Sequence, residues 1–341
     1  MGLFQQVVLR SIRRQLSSLG SEKRPFIAGH KLLYTCNLRC KMCPFWRRQD
    51  EKLLSLEEEK LMLKALADFG VSFMGFEGGE PLLRRDIKDI LAASHSLFHT
   101  SLVTNGWFLK ERARDIKDYL DYLFVSIDGI GELHDRLRGI PGSFKKAVEG
   151  IKEATKYLPV SISSTITREN MHQAEEIVEL GRSLGVSVSF QVAYDYSTAD
   201  KMSPDAQRLR GVLERLLEMK KQGYPIVESK EYFMSVINSW YHNDPWECKP
   251  WLTINIDPQG RVVTPCYVLN EYSGTQRVWE TDLRKLWASI DWDSYRSCNK
   301  CALSCYLEPS LFSWRNPSMV RERIIDNVIS YIRSRGSPAP Q

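Results

Sequence analysis

Leu33-Tyr34-Thr35-Cys36-Asn37-Leu38-Arg39-Cys40-Lys41-Met42-Cys43 closes the first strand-like run of the chain, and it packs three thiols onto one loop. Outward from this stretch the pattern repeats. Strand-like segments end near Tyr34, Phe76, Thr104, Ile127, Thr167 and Tyr194, and helical stretches lie between them at about 55–69, 85–97, 108–119, 142–157, 169–184 and 203–222. Ser55 and Glu58 form a Ser-x-x-Glu capping box at the first helix, with Gly70 just past its end. Ser203 and Pro204 predict an N-cap followed by proline at the last. Six alternating units imply a parallel sheet with right-handed crossovers. They fall short of the eight that close a full barrel, so the reading is α/β, a partial (β/α)6 TIM-like barrel. Loops at the carboxyl ends of such strands carry the chemistry. That rim holds the three cysteines, residues 77–81, Asn105-Gly106, Asp128-Gly129 and Asp195.

The chain has 341 residues, 43% hydrophobic and 26% charged, which excludes a disordered or collagen-like protein. The length suits one large domain plus a small one. Neither a signal peptide, a lipidation signal nor an apolar run long enough for a membrane span is evident, so the expectation is a cytoplasmic protein. The eight cysteines then point to metal or redox chemistry rather than disulfides. They fall in two groups, Cys36, Cys40 and Cys43 near the start and Cys248, Cys266, Cys298, Cys301 and Cys305 near the end. Three thiolates hold three irons of a 4Fe-4S cubane whose usual complement is four cysteines, and the iron left open is free to take a substrate or cofactor. Zinc, which usually takes two pairs of ligands, is the rival reading.

The C-x3-C-x-Φ-C loop after the first strand resembles that of the radical S-adenosylmethionine (radical SAM) enzymes. Further matches follow in that family's order. Gly78-Gly79-Glu80-Pro81 is similar to the motif that holds the methionine amino group of SAM, Thr104-Asn105-Gly106 follows the third strand, and Ser126-Ile127-Asp128-Gly129 with His134, Asp135, Arg138 and Gly139 resembles the fourth-strand segment that reaches the ribose and carboxylate. The resemblance spans residues 27 to about 190. It implies that Cys36, Cys40 and Cys43 are catalytic cluster ligands and that Met42, Gly78, Gly79, Glu80, Pro81, Asn105, Ser126, Asp128 and Arg138 bind SAM. It also implies reductive cleavage of SAM to a 5′-deoxyadenosyl radical, fed by a low-potential donor such as flavodoxin or ferredoxin. Ser126 and Asp128 have a second reading as local turn caps.

In the C-terminal group, residues 251–265 alternate about a turn at Asp257-Pro258-Gln259-Gly260 and read as a β-hairpin with one thiol near each end. With the distant Cys298-x2-Cys301 it offers four sulfurs to zinc or to an iron-sulfur cluster, and spacing alone does not choose. Beside a radical SAM core the arrangement resembles the SPASM/twitch domain. That implies an auxiliary 4Fe-4S cluster on Cys248, Cys266, Cys298 and Cys301, with Cys305 surplus or exchanging for Cys298 or Cys301. The expected organisation is an amphipathic helix at 1–26, the barrel at 27–235, the auxiliary domain at 236–315, and a C-terminal helix and tail at 316–341.

Basic residues crowd the two ends and leave the body slightly acidic, which argues against a nucleic-acid partner. Both ends carry apolar residues at helical spacing (Phe4, Ile12, Leu16, Leu19; Val320, Ile324, Val328, Ile332). They read as helices packed on the body, with peripheral contact at the inner face of a membrane as the alternative. Seven of the nine tryptophans lie between 240 and 314, where core packing is the expected role. The six histidines are scattered and expected to be structural or exposed, and Asp195 and Asp200 to be loop carboxylates. The substrate is a peptide or small molecule, or a lipid or isoprenoid met at a membrane surface. The 26 residues ahead of the first strand are few for a peptide-recognition domain. A non-catalytic zinc or iron-sulfur module is the reading from another class.

Overall fold

The computed structural model describes residues 23–240, 246–269, 272–313 and 316–317. Most of both terminal amphipathic stretches, and Trp314, lie outside these residues. The six expected strands are β1 (Ile27–Lys31), β2 (Phe73–Glu77), β3 (His99–Thr104), β4 (Tyr122–Ser126), β5 (Val160–Ile166) and β6 (Ser187–Val192). They pair in parallel in sequence order. Helices α1 (Leu56–Phe69), α2 (Ile87–His95), α3 (Leu109–Ile116), α4 (Glu132–Arg138), α5 (Ser143–Ala154), α6 (Ala174–Leu184), α7 (Ala206–Lys221) and α8 (Lys230–Asn238) accompany them. The partial (β/α)6 barrel read from the sequence is the observed fold.

Local chemistry explains where helices begin. Ser55 and Glu58 make both bonds of the capping box on α1. At α7 the cap moves from the expected Ser203 to Asp205, whose carboxylate accepts from the Arg208 N–H at 3.0 Å. Ser203 is engaged elsewhere, donating through its hydroxyl to the Ala193 carbonyl. Helix α6 starts at Ala174 rather than near 169 because Thr167 and Asn170 close a polar turn ahead of it. The Asn170 amide also donates to the Asp128 and Thr165 carbonyls, tying the end of β5 to the rim after β4.

The C-terminal hairpin is present as β7 (Thr253–Ile256) and β8 (Arg261–Thr264), with β9 (Tyr272–Arg277) beyond it. Asp257 holds the turn by accepting from the Gln259 and Arg261 N–H groups. What the sequence does not announce is that β7 pairs in parallel with β1, so one nine-stranded sheet runs in the order β6-β5-β4-β3-β2-β1-β7-β8-β9. His30 reinforces this seam: fully buried, it reaches Glu59 of α1 through one ring nitrogen and the Ile256 carbonyl through the other. Glu59 also pairs with Arg84 at 3.0 Å, so the buried charge is compensated.

Helices α9 (Leu283–Ser289) and α10 (Ser304–Leu311) complete the C-terminal part. Trp240, Trp246, Trp287 and Trp292 are buried there, and the Trp287 ring meets Phe69 edge-on at 5.8 Å, joining this part to the barrel core. Among the described residues no helix is long and apolar enough to cross a membrane.

Candidate SAM and cluster site

The loop after β1 is shaped by backbone bonds before any side chain acts. Asp50 accepts from the N–H groups of Tyr34 and Thr35. The N–H groups of Arg39 and Lys41 donate to the Arg138 and Leu137 carbonyls, fastening the loop to α4. Trp46 and Arg47 donate to the Cys40 carbonyl, which turns the chain back after Cys43. Cys36, Cys40 and Cys43 consequently line one cleft at the carboxyl ends of the strands, with a volume of about 230 Å3. Burial pushes the Cys36 thiol up to about 11 and the Cys40 thiol up to about 12. Both stay protonated at neutral pH unless a cation sits among them, and iron would supply that charge.

Gly78 and Gly79 are set by close approach. A side chain at Gly79 would put its first carbon 2.1 Å from the Thr35 carbonyl, and at Gly78, whose φ is +134°, 2.4 Å from that of Leu33. The Gly79 and Glu80 N–H groups donate to those same two carbonyls, so the loop after β2 lies flat on the cysteine loop. Glu80 and Pro81 follow directly and are buried. The Glu80 carboxylate accepts from the Thr104 hydroxyl at 2.7 Å, the Asn105 N–H at 2.8 Å and the Leu82 N–H at 3.0 Å. Burial nevertheless raises its pKa. Its visible task is to lock the second and third rim loops together. Glu80→Gln is expected to cost about 1 to 3 kcal/mol, because an amide turns a donor toward a backbone donor in a buried place. Urea unfolding measures it.

Asn105 lines the cleft and donates to Asn37 at 2.8 Å, with the Cys36 sulfur 3.8 Å away. Ser126, Asp128 and Arg138 line it further along. Asp128 is fully buried, pairs with Arg138 at 2.6 Å, and accepts from the Thr165 N–H at 2.8 Å. Burial works against the Arg138 charge, but Asp128 and Cys40 outweigh it and raise its pKa. Among the described residues the guanidinium Nε is buried without a hydrogen-bond partner, as expected of a group waiting for an anion. His134 accepts from the Asp128 N–H through Nδ1, and burial pushes its pKa down to about 3, leaving it neutral. Met42 packs beside Leu133, Leu137, Ala193 and Met202 and gives the cleft an apolar wall.

The second cysteine group behaves differently. Cys248, Cys266, Cys298 and Cys301 line one cavity walled by Trp246, Pro250, Leu269 and Leu307. The Trp246 indole donates to the Cys298 carbonyl at 2.9 Å. Burial raises the Cys248 thiol and takes Cys301 up to about 12. Cys305, in the first turn of α10, does not line this cavity and is exposed. Among the described residues no three His, Cys, Asp or Glu side chains stand close enough to hold a single metal ion.

Sequence reading missed Asp50, Asn170 and Lys31, which act through partners distant in the chain. It placed Asp195 and Asp200 as loop carboxylates. Asp195 closes its own loop by accepting from the Met202 and Ser203 N–H groups, and Asp200 pairs with Arg47.

A partial parallel barrel with three cysteines after β1 and a glycine-built cradle after β2 defines an iron-sulfur, SAM-binding class. Residues 31–181 match the radical SAM superfamily and residues 187–325 match a domain of unknown function (DUF3463). The chain thus carries a radical SAM domain followed by a SPASM-like one. It is 31% identical over 178 residues to Fe-coproporphyrin III synthase of Methanosarcina barkeri, an alignment covering 50% of this chain and 44% of that one. It is 28% identical over 287 residues to PqqA peptide cyclase of Rhizobium meliloti, covering 78% and 74%. The aligned part spans about half the length of the first of these relatives. In fold it is similar to Streptococcus suis SuiB bound to S-adenosylmethionine, with a TM-score of 0.68 at 18% identity over 83% of this chain and 71% of that one.

Proposed function

We propose that this protein is a radical SAM enzyme that takes a hydrogen atom from an unactivated C–H bond of a peptide or small molecule. Carrying the reading is the convergence of Cys36, Cys40, Cys43, Gly78, Gly79, Asn105, Ser126 and Arg138 on one cleft. Cys36, Cys40 and Cys43 would hold a 4Fe-4S cluster, and the rim residues would hold SAM. When bound and reduced by a low-potential donor such as flavodoxin or ferredoxin, they supply homolysis of a carbon-sulfur bond and hence a 5′-deoxyadenosyl radical.

The chain's own part is placement. Asp128 holds Arg138 toward the SAM carboxylate, Met42 backs the adenine, and the carbonyl-lined turn at Gly78 and Gly79 accepts the amino group. Phe45, Trp46 and Tyr196 line the mouth and exclude water, which protects the reactive species. Glu80 and Pro81 support the cradle. The likeness to PqqA peptide cyclase favours a peptide among the substrates. The test is anaerobic reconstitution with SAM and dithionite: 5′-deoxyadenosine forms, or the reading fails.

Cys248, Cys266, Cys298 and Cys301 would hold an auxiliary 4Fe-4S cluster, with Cys305 outside the set. Cys248→Ala is expected to halve the iron of the reconstituted chain, from about eight to about four per molecule. Cys305→Ala is expected to keep it. Iron and sulfide analysis separates the two, and a zinc site would give neither.

A further inference from the structure

Full barrels of this kind fill their axis with branched side chains. Here the cleft wall mixes small or polar residues, Ser163, Thr165 and Gln191, with the apolar and aromatic side chains of Val103, Phe45 and Tyr267. Set into this mixed wall is a charge pair on adjacent strands. Lys31 and Glu77 are register partners on β1 and β2, and their side chains meet at 2.8 Å.

The two members differ in what they show to the cleft. The Lys31 side chain is 4% exposed, and its ammonium lies 3.8 Å from the Phe45 ring centre and 4.2 Å from that of Tyr267. It is caged. The Glu77 side chain is 37% exposed. Its Oε1 takes the lysine, and among the described residues Oε2 has no donor. Glu77 directly precedes the Gly78–Gly79 cradle and lines the same cleft. The other cation lining the cleft, Arg138, is already paired with Asp128. A half-open carboxylate is a good acceptor for O–H or N–H. Covered by hydrocarbon instead, it would lose its water without replacement.

We propose that Glu77, oriented by Lys31, anchors the substrate by accepting a hydrogen bond from its hydroxyl or amino group, and that the substrate is a water-soluble molecule rather than a hydrocarbon. The inference rests on the radical SAM reading above. Losing a hydrogen bond to a charged group weakens binding about ten- to hundred-fold.

The test uses holoenzyme with SAM, offered water-soluble and solvent-soluble fractions of the source cells, with retained compounds identified by mass spectrometry after ultrafiltration. Variants are compared at equal iron content and equal SAM occupancy. The expected result is retention of a hydroxyl- or amine-bearing compound from the water-soluble fraction, at least ten-fold weaker in Glu77→Gln and partly restored in Glu77→Asp. Lys31→Met combined with Glu77→Gln strands no buried charge and is expected to lose retention as well. Retention from the solvent-soluble fraction only, from neither fraction, or undiminished in the Gln variants overturns the proposal. Dithionite-dependent 5′-deoxyadenosine, measured on the same wild-type preparation, tells this failure from failure of the radical SAM reading, in which none forms.

Discussion

Replacing Cys36, Cys40 and Cys43 together by Ala is expected to remove about four irons per chain and to abolish dithionite-dependent 5′-deoxyadenosine formation altogether. The loss is complete because no other side chain substitutes. The Asn105 amide nitrogen and the Arg138 guanidinium approach the sulfurs, at 3.8 Å from Cys36 and Cys40 respectively, but these nitrogens are donors and offer no lone pair to iron. The fold is expected to survive, since backbone bonds to Leu137 and Arg138, together with the Asp50 carboxylate, hold the loop without the sulfurs. Circular dichroism of the triple variant checks the fold, and chromatography of the quenched reaction checks the product. Measurable product from the iron-depleted variant would refute the assignment of this loop.

The second large effect is on stability. Asp128→Asn keeps the shape of the side chain and its bond to Thr165, but strands the Arg138 guanidinium with only a neutral neighbour. Removing one partner of a buried pair costs about 3 to 5 kcal/mol, far more than an exposed pair is worth. Asp128 is fully buried and the Arg138 side chain is 13% exposed, so the larger figure applies. Urea unfolding of the iron-free chain should show the loss. Adding Arg138→Met to Asp128→Asn should restore part of it, because the stranded charge is then gone. An Asp128→Asn chain as stable as wild type would mean that the pair is solvated. If Arg138 binds the SAM carboxylate as proposed, SAM affinity should fall in both variants, since each removes or misorients that cation.

These residues were not equally visible in the chain. The cysteine spacing, the glycine pair and the Ser55–Glu58 cap are local, and local patterns survive in a linear text. Six strands alternating with helices gave the barrel for the same reason. The pairing of β7 with β1 was hidden because no short pattern records it, and His30 reaches Ile256 across 226 positions. Lys31 looked like an ordinary strand residue, and only the register with β2 brings Glu77 against it, 46 positions on. Glu80 shows the converse. Its motif was readable, but its burial and its bonds to Thr104 and Asn105 were not. The Ser203 cap failed through competition, since Asp205 offered the helix a better acceptor.

Because β1 is hydrogen-bonded to β2 on one side and to β7 on the other, the strand that leads into the first cysteine loop also braces the hairpin that runs between Cys248 and Cys266, and a substitution that loosens this seam would be felt at both sulfur-lined cavities.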